Sequence, residues 1–441
     1  MTASSVIDSA SARAPEAPDR LPRRNIALVG HACAPHLGSE NGFTWSWAKH
    51  LSAYHDVTVF THPEHESRCE AARIEQELER VRFHFVRLRT AIDPWRPPGE
   101  RFIRFHYQMW QREVLRHIRA LHHENPFDLV HHVSWGSLNQ PPLLWKLGLP
   151  FVWGPVGGGQ TWPQPFMQYA RKPRLIEHLR TFTVRSSIRR RALRACARHA
   201  DLVLATNRET RDLVQRAGAQ RVEMFLDSGS NVVDPAQRAK PGTGDELTIL
   251  WAGRLEHRKA LPLALEAMQR LQSRRVRLLI AGRGPCQAQL QSEIQTRGLQ
   301  DRVSMLGFVE HQKMADLFRK SDLFLFTSLR DSMGSVVLEA MSYGLPVITL
   351  DHQGAGDFVR PEEGVKIPVT DPPSVIQAIA GALDGLDADR PALAEMSAAV
   401  IRRMNQNTWS ERALRACRYY EQVLSRRREM DRTQALAPTP S

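Results

Sequence analysis

The sequence predicts an α/β protein of the doubly wound kind, with two tandem Rossmann-like domains facing a cleft, and three observations carry that expectation. At 441 residues the chain is longer than one hydrophobic core usually serves. Short runs rich in Val, Ile, Leu and Phe alternate with longer amphipathic stretches, as in parallel sheets covered by helices on both faces. That alternation breaks off in a segment rich in Pro, Gly and Asp and then starts again.

Taken in order, "MTASSVIDSASARAPEAPDRLPRR" has no apolar signal core, so residues 1–24 read as an unstructured tail. The first domain, 25–235, carries strand candidates at 25–30, 56–60, 81–86, 127–133, 150–154 and 200–206. The linker "VVDPAQRAKPGTGDE" (232–246) leads to a second domain, 245–410, with candidates at 247–253, 276–282, 302–308, 322–328 and 345–350. A helical pattern over 411–428 closes the fold, and 429–441 reads as a second unstructured tail.

Composition narrows the class. With 42% hydrophobic and 24% charged residues, and no run near the roughly 18 to 20 apolar residues a membrane span needs, a cytoplasmic globular protein is expected. Five scattered cysteines without a CxxC pair argue against a disulfide framework or a zinc site. The formal charge of +13 favours a polyanionic partner.

The chemistry concentrates in the second half. In "RDSMGSVVLEAMSYGLPVIT" (330–349), Asp331 falls in a loop after a strand and Glu339 one turn inside the following helix. Gly334 permits close backbone approach, and the free N–H groups of Ser335 and Val336 suit an anion such as a diphosphate. "GRLEHRK" puts Arg254 and Lys259 just past another strand's carboxyl end, where open α/β sheets bind ligands. "AGRGP" (281–285) lacks the third glycine of a dinucleotide fingerprint. "GPVGGGQ" (154–160) supplies three consecutive strand-end glycines for a loop that closes on a ligand. The acids Asp387 and Asp389 of "DAD" fall in a surface loop or helix start, so no metal site is expected.

From Asp331 to Glu339 the sequence resembles the paired-acid motif of the retaining family 4 glycosyltransferases. "GRL…RK", "AGRGP", "VSMLGFV", "LFRKSDLFLFTS" and "LEAMSYGLPVI" occur in that family's order across 247–350. The first half is similar more loosely, through "HACAPHLGSENGFTWSWAKHLS", "DLVHHVSWGS" and "PFVWGPVGGGQ". The resemblance implies the two-domain GT-B fold, a nucleotide-diphosphate sugar as donor substrate with no cofactor or metal, and transfer with retention. It also implies an acceptor, a saccharide or lipid-linked saccharide, held by the first domain. Arg254 and Lys259 would then hold the diphosphate together with the N–H groups of Ser335 and Val336. Glu339 would bind the ribose, Asp331 the donor sugar, and Phe308 and Val309 the nucleobase. Gly38 and Ser39 would approach the diphosphate from the opposite wall. Asp331 stands where the family usually has Glu, and Met333 and Ser335 replace a Phe and an aliphatic residue, which changes the pocket floor. Many members have His-x-His where this chain has His131, His132 and Val133; strand alternation lets one of the two histidines face the cleft.

Between Arg171 and Arg198 ten Lys or Arg face one Glu, a sequence able to lie on an anionic membrane. A nucleotide-sugar epimerase on the same fold is the enzymatic alternative. A nucleic-acid-binding protein is disfavoured, because Phe182 is the only aromatic residue in that basic stretch.

Overall fold

A computed structural model describes residues 21–35, 40–88, 103–170, 174–230, 233–239 and 241–436. Gly38 and Ser39 lie outside the described residues. The first half contains, in order, β1 (Asn25–Gly30), α1 (Glu40–Leu51), β2 (Asp56–Thr61), α2 (Glu66–Glu75), β3 (Val81–Phe85), α3 (Ile103–Glu124) and β4 (Leu129–Ser134). It continues through β5 (Phe151–Val156), α4 (Arg174–Ser186), α5 (Arg191–His199), β6 (Leu202–Ala205), α6 (Arg208–Ala217) and β7 (Val222–Met224). The second half contains β8 (Leu247–Ala252), α7 (Leu261–Arg270), β9 (Val276–Ala281), α8 (Gln287–Thr296), β10 (Val303–Gly307), α9 (His311–Lys320) and β11 (Leu323–Phe326). It ends with α10 (Ser335–Ser342), β12 (Val347–Leu350), α11 (Gln353–Phe358), β13 (Gly364–Ile367), α12 (Pro372–Ala388), α13 (Arg390–Asn405) and α14 (Trp409–Leu436).

The strands form two all-parallel sheets, ordered β3-β2-β1-β4-β5-β6-β7 and β10-β9-β8-β11-β12-β13. Both have the doubly wound order that reverses direction between two central strands, β1 and β4 in one, β8 and β11 in the other. The central strands are apolar on both faces for a visible reason. In β1, Ala27 and Val29 join the core under α3 and α5, while Ile26 and Leu28 join the core under α1 and α14. In β8, Ile249 and Trp251 face the α7 side and Leu250 the α10 side.

Two boundaries differ from the sequence expectation. The segment Trp162–Ala170, though early in the chain, packs Trp162, Phe166 and Met167 into the core of the second sheet. The tail expected from 429 is helical through Leu436, because α14 continues without a break. Its first half lays Trp409, Ala413, Cys417 and Tyr420 against α1 and the first sheet, and Arg24 holds Glu421 at 2.6 Å. Asp387, expected in a surface loop, is buried near the end of α12, with Ser273 and Arg390 bonded to it and Arg275 at 3.4 Å.

Candidate functional site

The reversal between β8 and β11 brings the two charged loops side by side. After β8 the chain makes a turn at His257–Lys259 and is stitched to the loop after β11. Leu329 N–H donates to Arg258 O at 2.8 Å, and Thr327 Oγ1 donates to Lys259 O at 2.8 Å. Lys259 is buried, with its ammonium bonded to Asp331 and 4.9 Å from the Phe326 ring centroid. Burial lowers the Lys259 pKa, and the Asp331 carboxylate opposes that shift. Arg258, which the sequence reading passed over among three adjacent basic residues, reaches Asp331 at 3.3 Å and Glu256 at 2.7 Å. Arg254 is mostly exposed and held by Glu256 at 2.9 Å. Three cations and two carboxylates therefore leave a net positive mouth beside α10.

Helix α10 starts at Ser335, and the N–H groups of Ser335 and Val336 have no acceptor within the helix. Gly334 caps it with φ of +81°, and a Cβ there would stand 2.6 Å from the Phe326 ring. Glu339 lies half-buried one turn on. Met333, expected to alter the pocket floor, is buried in the core beneath α10. The glycines of "AGRGP" serve packing: a Cβ on Gly282 would stand 1.8 Å from Gly253 O. Arg283 of that loop lies over the exposed Phe308 ring, 5.7 Å from its centroid, and Val309 packs against the core.

Residues of the first half grip the Asp331 loop. Gln160 Nε2 donates to Ser332 Oγ at 2.9 Å, Asn207 Nδ2 to Ser332 O at 3.1 Å, and Gln353 Nε2 to Thr161 O at 2.8 Å. Gln353 also accepts from Asp331 N–H at 2.8 Å. The glycine run at 157–159 allows this approach, since a Cβ on Gly157 would stand 2.8 Å from Ser332 Oγ.

At the matching reversal in the first sheet the chemistry is different. His31 after β1 lies 4.7 Å from Trp135 after β4, 5.1 Å from His62 after β2, and 4.8 Å from Trp110 of α3, by ring centroids. His31 Nε2 is buried without a hydrogen-bond partner among the described residues. The sequence reading missed this cluster, whose members lie in "GHACAP", "THPEH", "FHYQMW" and "SWGS". Strand alternation separates the two candidate histidines of β4. His131 faces α14 and uses both ring nitrogens, on Tyr420 OH at 2.7 Å and Gly154 O at 2.6 Å. It is therefore a packing residue, a correction to its place among the candidates. His132 faces α3, with Nε2 on Tyr107 OH at 2.7 Å and Nδ1 buried without a partner among the described residues. Burial pushes His131 down to about 4 and His132, helped by His131, to about 3, so both imidazoles are neutral at neutral pH.

Among the described residues, no group of three His, Cys, Asp or Glu side chains could hold a metal ion, and no helix is long and apolar enough to cross a membrane.

The chain is similar to known proteins in both halves. The family description "Glycosyl transferase 4-like domain" matches residues 42–226, and "Glycosyl transferases group 1" matches 233–400. Alpha-D-kanosaminyltransferase of Streptomyces kanamyceticus is 28% identical over 44% of this chain and 54% of its own length. The gpi3 subunit of phosphatidylinositol N-acetylglucosaminyltransferase from Schizosaccharomyces pombe is 36% identical over 30% of each chain. The putative colanic acid biosynthesis glycosyltransferase WcaL of Escherichia coli is 28% identical over 44% of this chain and 50% of its own. The aligned regions thus span about half or less of these relatives. Among solved structures, sucrose-phosphate synthase of Thermosynechococcus elongatus superposes with a TM-score of 0.61 at 20% identity, over 91% of this chain and 100% of that one. Anabaena HepE in complex with UDP and glucose gives a TM-score of 0.58 at 16% identity, over 91% and 100%. With both halves matched and both sheets in place, the chain belongs to the family 4 glycosyltransferases and has the GT-B fold.

Proposed function

We propose that the chain is a retaining glycosyltransferase that moves a hexosyl-type sugar from a nucleotide-diphosphate donor to a saccharide or lipid-linked saccharide. The observation that carries this reading is the cationic mouth of Arg254, Arg258 and Lys259 beside the open N-terminus of α10, at the reversal of the second sheet. In this reading the bond between the anomeric carbon and the diphosphate oxygen breaks while the acceptor oxygen bonds to the same face. The acceptor proton passes to the departing phosphate oxygen. The mouth stabilises the charge that develops on the leaving group, so the proposal requires no metal. Asp331 holds Lys259 and Arg258 in place and, once they turn to the diphosphate, accepts hydrogen bonds from the donor sugar. Glu339 takes the ribose hydroxyls, and Phe308 with Arg283 flanks the base.

The acceptor belongs to the first sheet's reversal, where Trp135 and His31 offer ring faces to a saccharide and burial, by lowering the His31 pKa, keeps that imidazole neutral. The relatives support the class: HepE was solved with UDP and glucose, and WcaL is described as a putative colanic acid biosynthesis glycosyltransferase. A role in surface polysaccharide or glycoconjugate assembly on the cytoplasmic membrane face follows, with the basic stretch 171–198 at the lipid. Residues 171–173 of that stretch lie outside the described residues. Proton NMR of the product formed from an α-linked nucleotide sugar tests the stereochemistry. An α-linked product is expected, and a β-linked product overturns the retaining assignment.

A further inference from the structure

Helix α4 is built inside out. Its buried residues are Glu177, Thr181 and Val184, spaced i, i+4, i+7 along one face. The opposite face carries Leu175, Leu179 and Phe182 at the same spacing, with Ile176 beside them, and these four are 57–70% exposed. A soluble helix usually turns such a stripe inward. Four of the nine large exposed hydrophobic residues among the described residues therefore sit on one helix of 13 residues, too dense a patch to count as scattered surface apolarity.

The charge around the stripe says what covers it. Arg174, Arg180 and Arg185 are exposed on α4, Arg189 and Arg190 in the turn after it, and Arg191 at the start of α5. The only acid between 174 and 198, Glu177, points inward to Arg330 at 3.0 Å. A second copy of this chain would bring like charges together, whereas an anionic bilayer offers hydrocarbon for the stripe and phosphates for the arginines. The inward face fixes the consequence: Arg330 precedes Asp331, so the thickness of one helix, about 10 Å, separates the stripe from the donor loop.

We propose that α4 is an interfacial helix which inserts its Leu175, Ile176, Leu179 and Phe182 face into an anionic membrane and, through Glu177 and Arg330, holds the donor loop one helix above the headgroups. The acceptor is then attached to lipid rather than free in solution, a conclusion that rests on the transferase reading, while the insertion itself does not.

The test is co-sedimentation of the full chain with vesicles of phosphatidylcholine containing phosphatidylglycerol, and with phosphatidylcholine alone. Nucleotide-sugar binding is measured on the same samples. Wild type is expected to bind the anionic vesicles and retain part of that binding at high salt. Leu175→Ser with Leu179→Ser and Phe182→Ser lowers the partition coefficient about ten-fold or more. Because all three side chains are exposed, that variant keeps the wild-type unfolding curve and nucleotide-sugar affinity. Arg189→Gln with Arg190→Gln weakens binding at low salt and leaves the salt-resistant part. Equal vesicle binding by the serine variant and wild type overturns the insertion, as does wild type that ignores anionic vesicles. A wild-type dimer that the serine variant breaks, without vesicle binding, assigns the face to a second copy instead. Loss of nucleotide-sugar binding by wild type would count against the transferase reading alone.

Discussion

The two sheets reverse in the same way and fill the reversal with opposite chemistry. Between β8 and β11 the strand-end loops bring Lys259, Arg258 and Asp331 into contact beside a helix N-terminus. Between β1 and β4 the equivalent loops bring His31, Trp135 and their neighbours together, with His132 held neutral by burial. The fold supplies the same position twice, and in the proposed reading the residues suit one half to a diphosphate and the other to a sugar ring. The link between them is also asymmetric: Gln160 and Asn207 of the first half both hold Ser332, next to Asp331.

The most severe way to break the comparison is to remove charge from the ionic half. Lys259→Met is expected to lower kcat/KM by about 100-fold or more, because a contact that strengthens as the diphosphate departs is lost. Steady-state transfer kinetics check this, and unchanged turnover would dissociate Lys259 from the chemistry.

Acid probes the neutral half. The folded His131 pKa lies near 4 against 6.5 for the ordinary group, so below pH ~6.5 the unfolded chain takes up a proton that the folded chain refuses. Stability therefore falls with falling pH across that window, by about 2 kcal/mol from His131 alone at pH ~5 and about 3 kcal/mol at pH ~4. Urea unfolding at several pH values measures the slope, and His131→Asn should flatten it.

A smaller effect sharpens the division of labour. Trp135→Ala is expected to raise the acceptor KM about 3- to 10-fold, the worth of one ring contact, and leave donor binding unchanged. An equal loss of donor affinity would merge the two halves into one site. The least effect belongs to Gln160→Ala, which removes one hydrogen bond between the halves. About 1 kcal/mol or less of unfolding free energy should be lost, with a few-fold fall in kcat/KM.

Much of this was readable in the sequence where local pattern and fold agree. The central strands were legible because both faces are buried, which makes their apolar runs continuous. Strands β7 and β13 were missed: "VEM" is three half-buried residues at a sheet edge, and "GVKI" carries a lysine that reaches Asp351 at 2.9 Å. The spacing of Asp331 and Glu339 placed one in a loop and the other in a helix, because a strand end, a glycine and an apolar periodicity mark the junction. Alternation in β4 showed that the two histidines diverge but not which one packs. That choice is made by Tyr420, 289 residues away from His131 in sequence. The His31 cluster was equally hidden, since its rings come from separate strand-end loops and one helix. Helix α4 was legible as basic and amphipathic, but the sequence does not say which face is buried. Its inward polar face exists because Arg330 of the other domain is there to meet Glu177.

The most direct measurement of the division between the halves is calorimetric titration of UDP-, GDP- and ADP-sugars into wild type and Glu339→Ala. Sugars of one nucleotide should bind wild type, and the variant should bind them about ten-fold or more weakly, having lost charge-assisted hydrogen bonds to the ribose. Equal affinity in the two proteins, or no binding by folded wild type, would contradict the assignment of the second sheet's reversal to the donor.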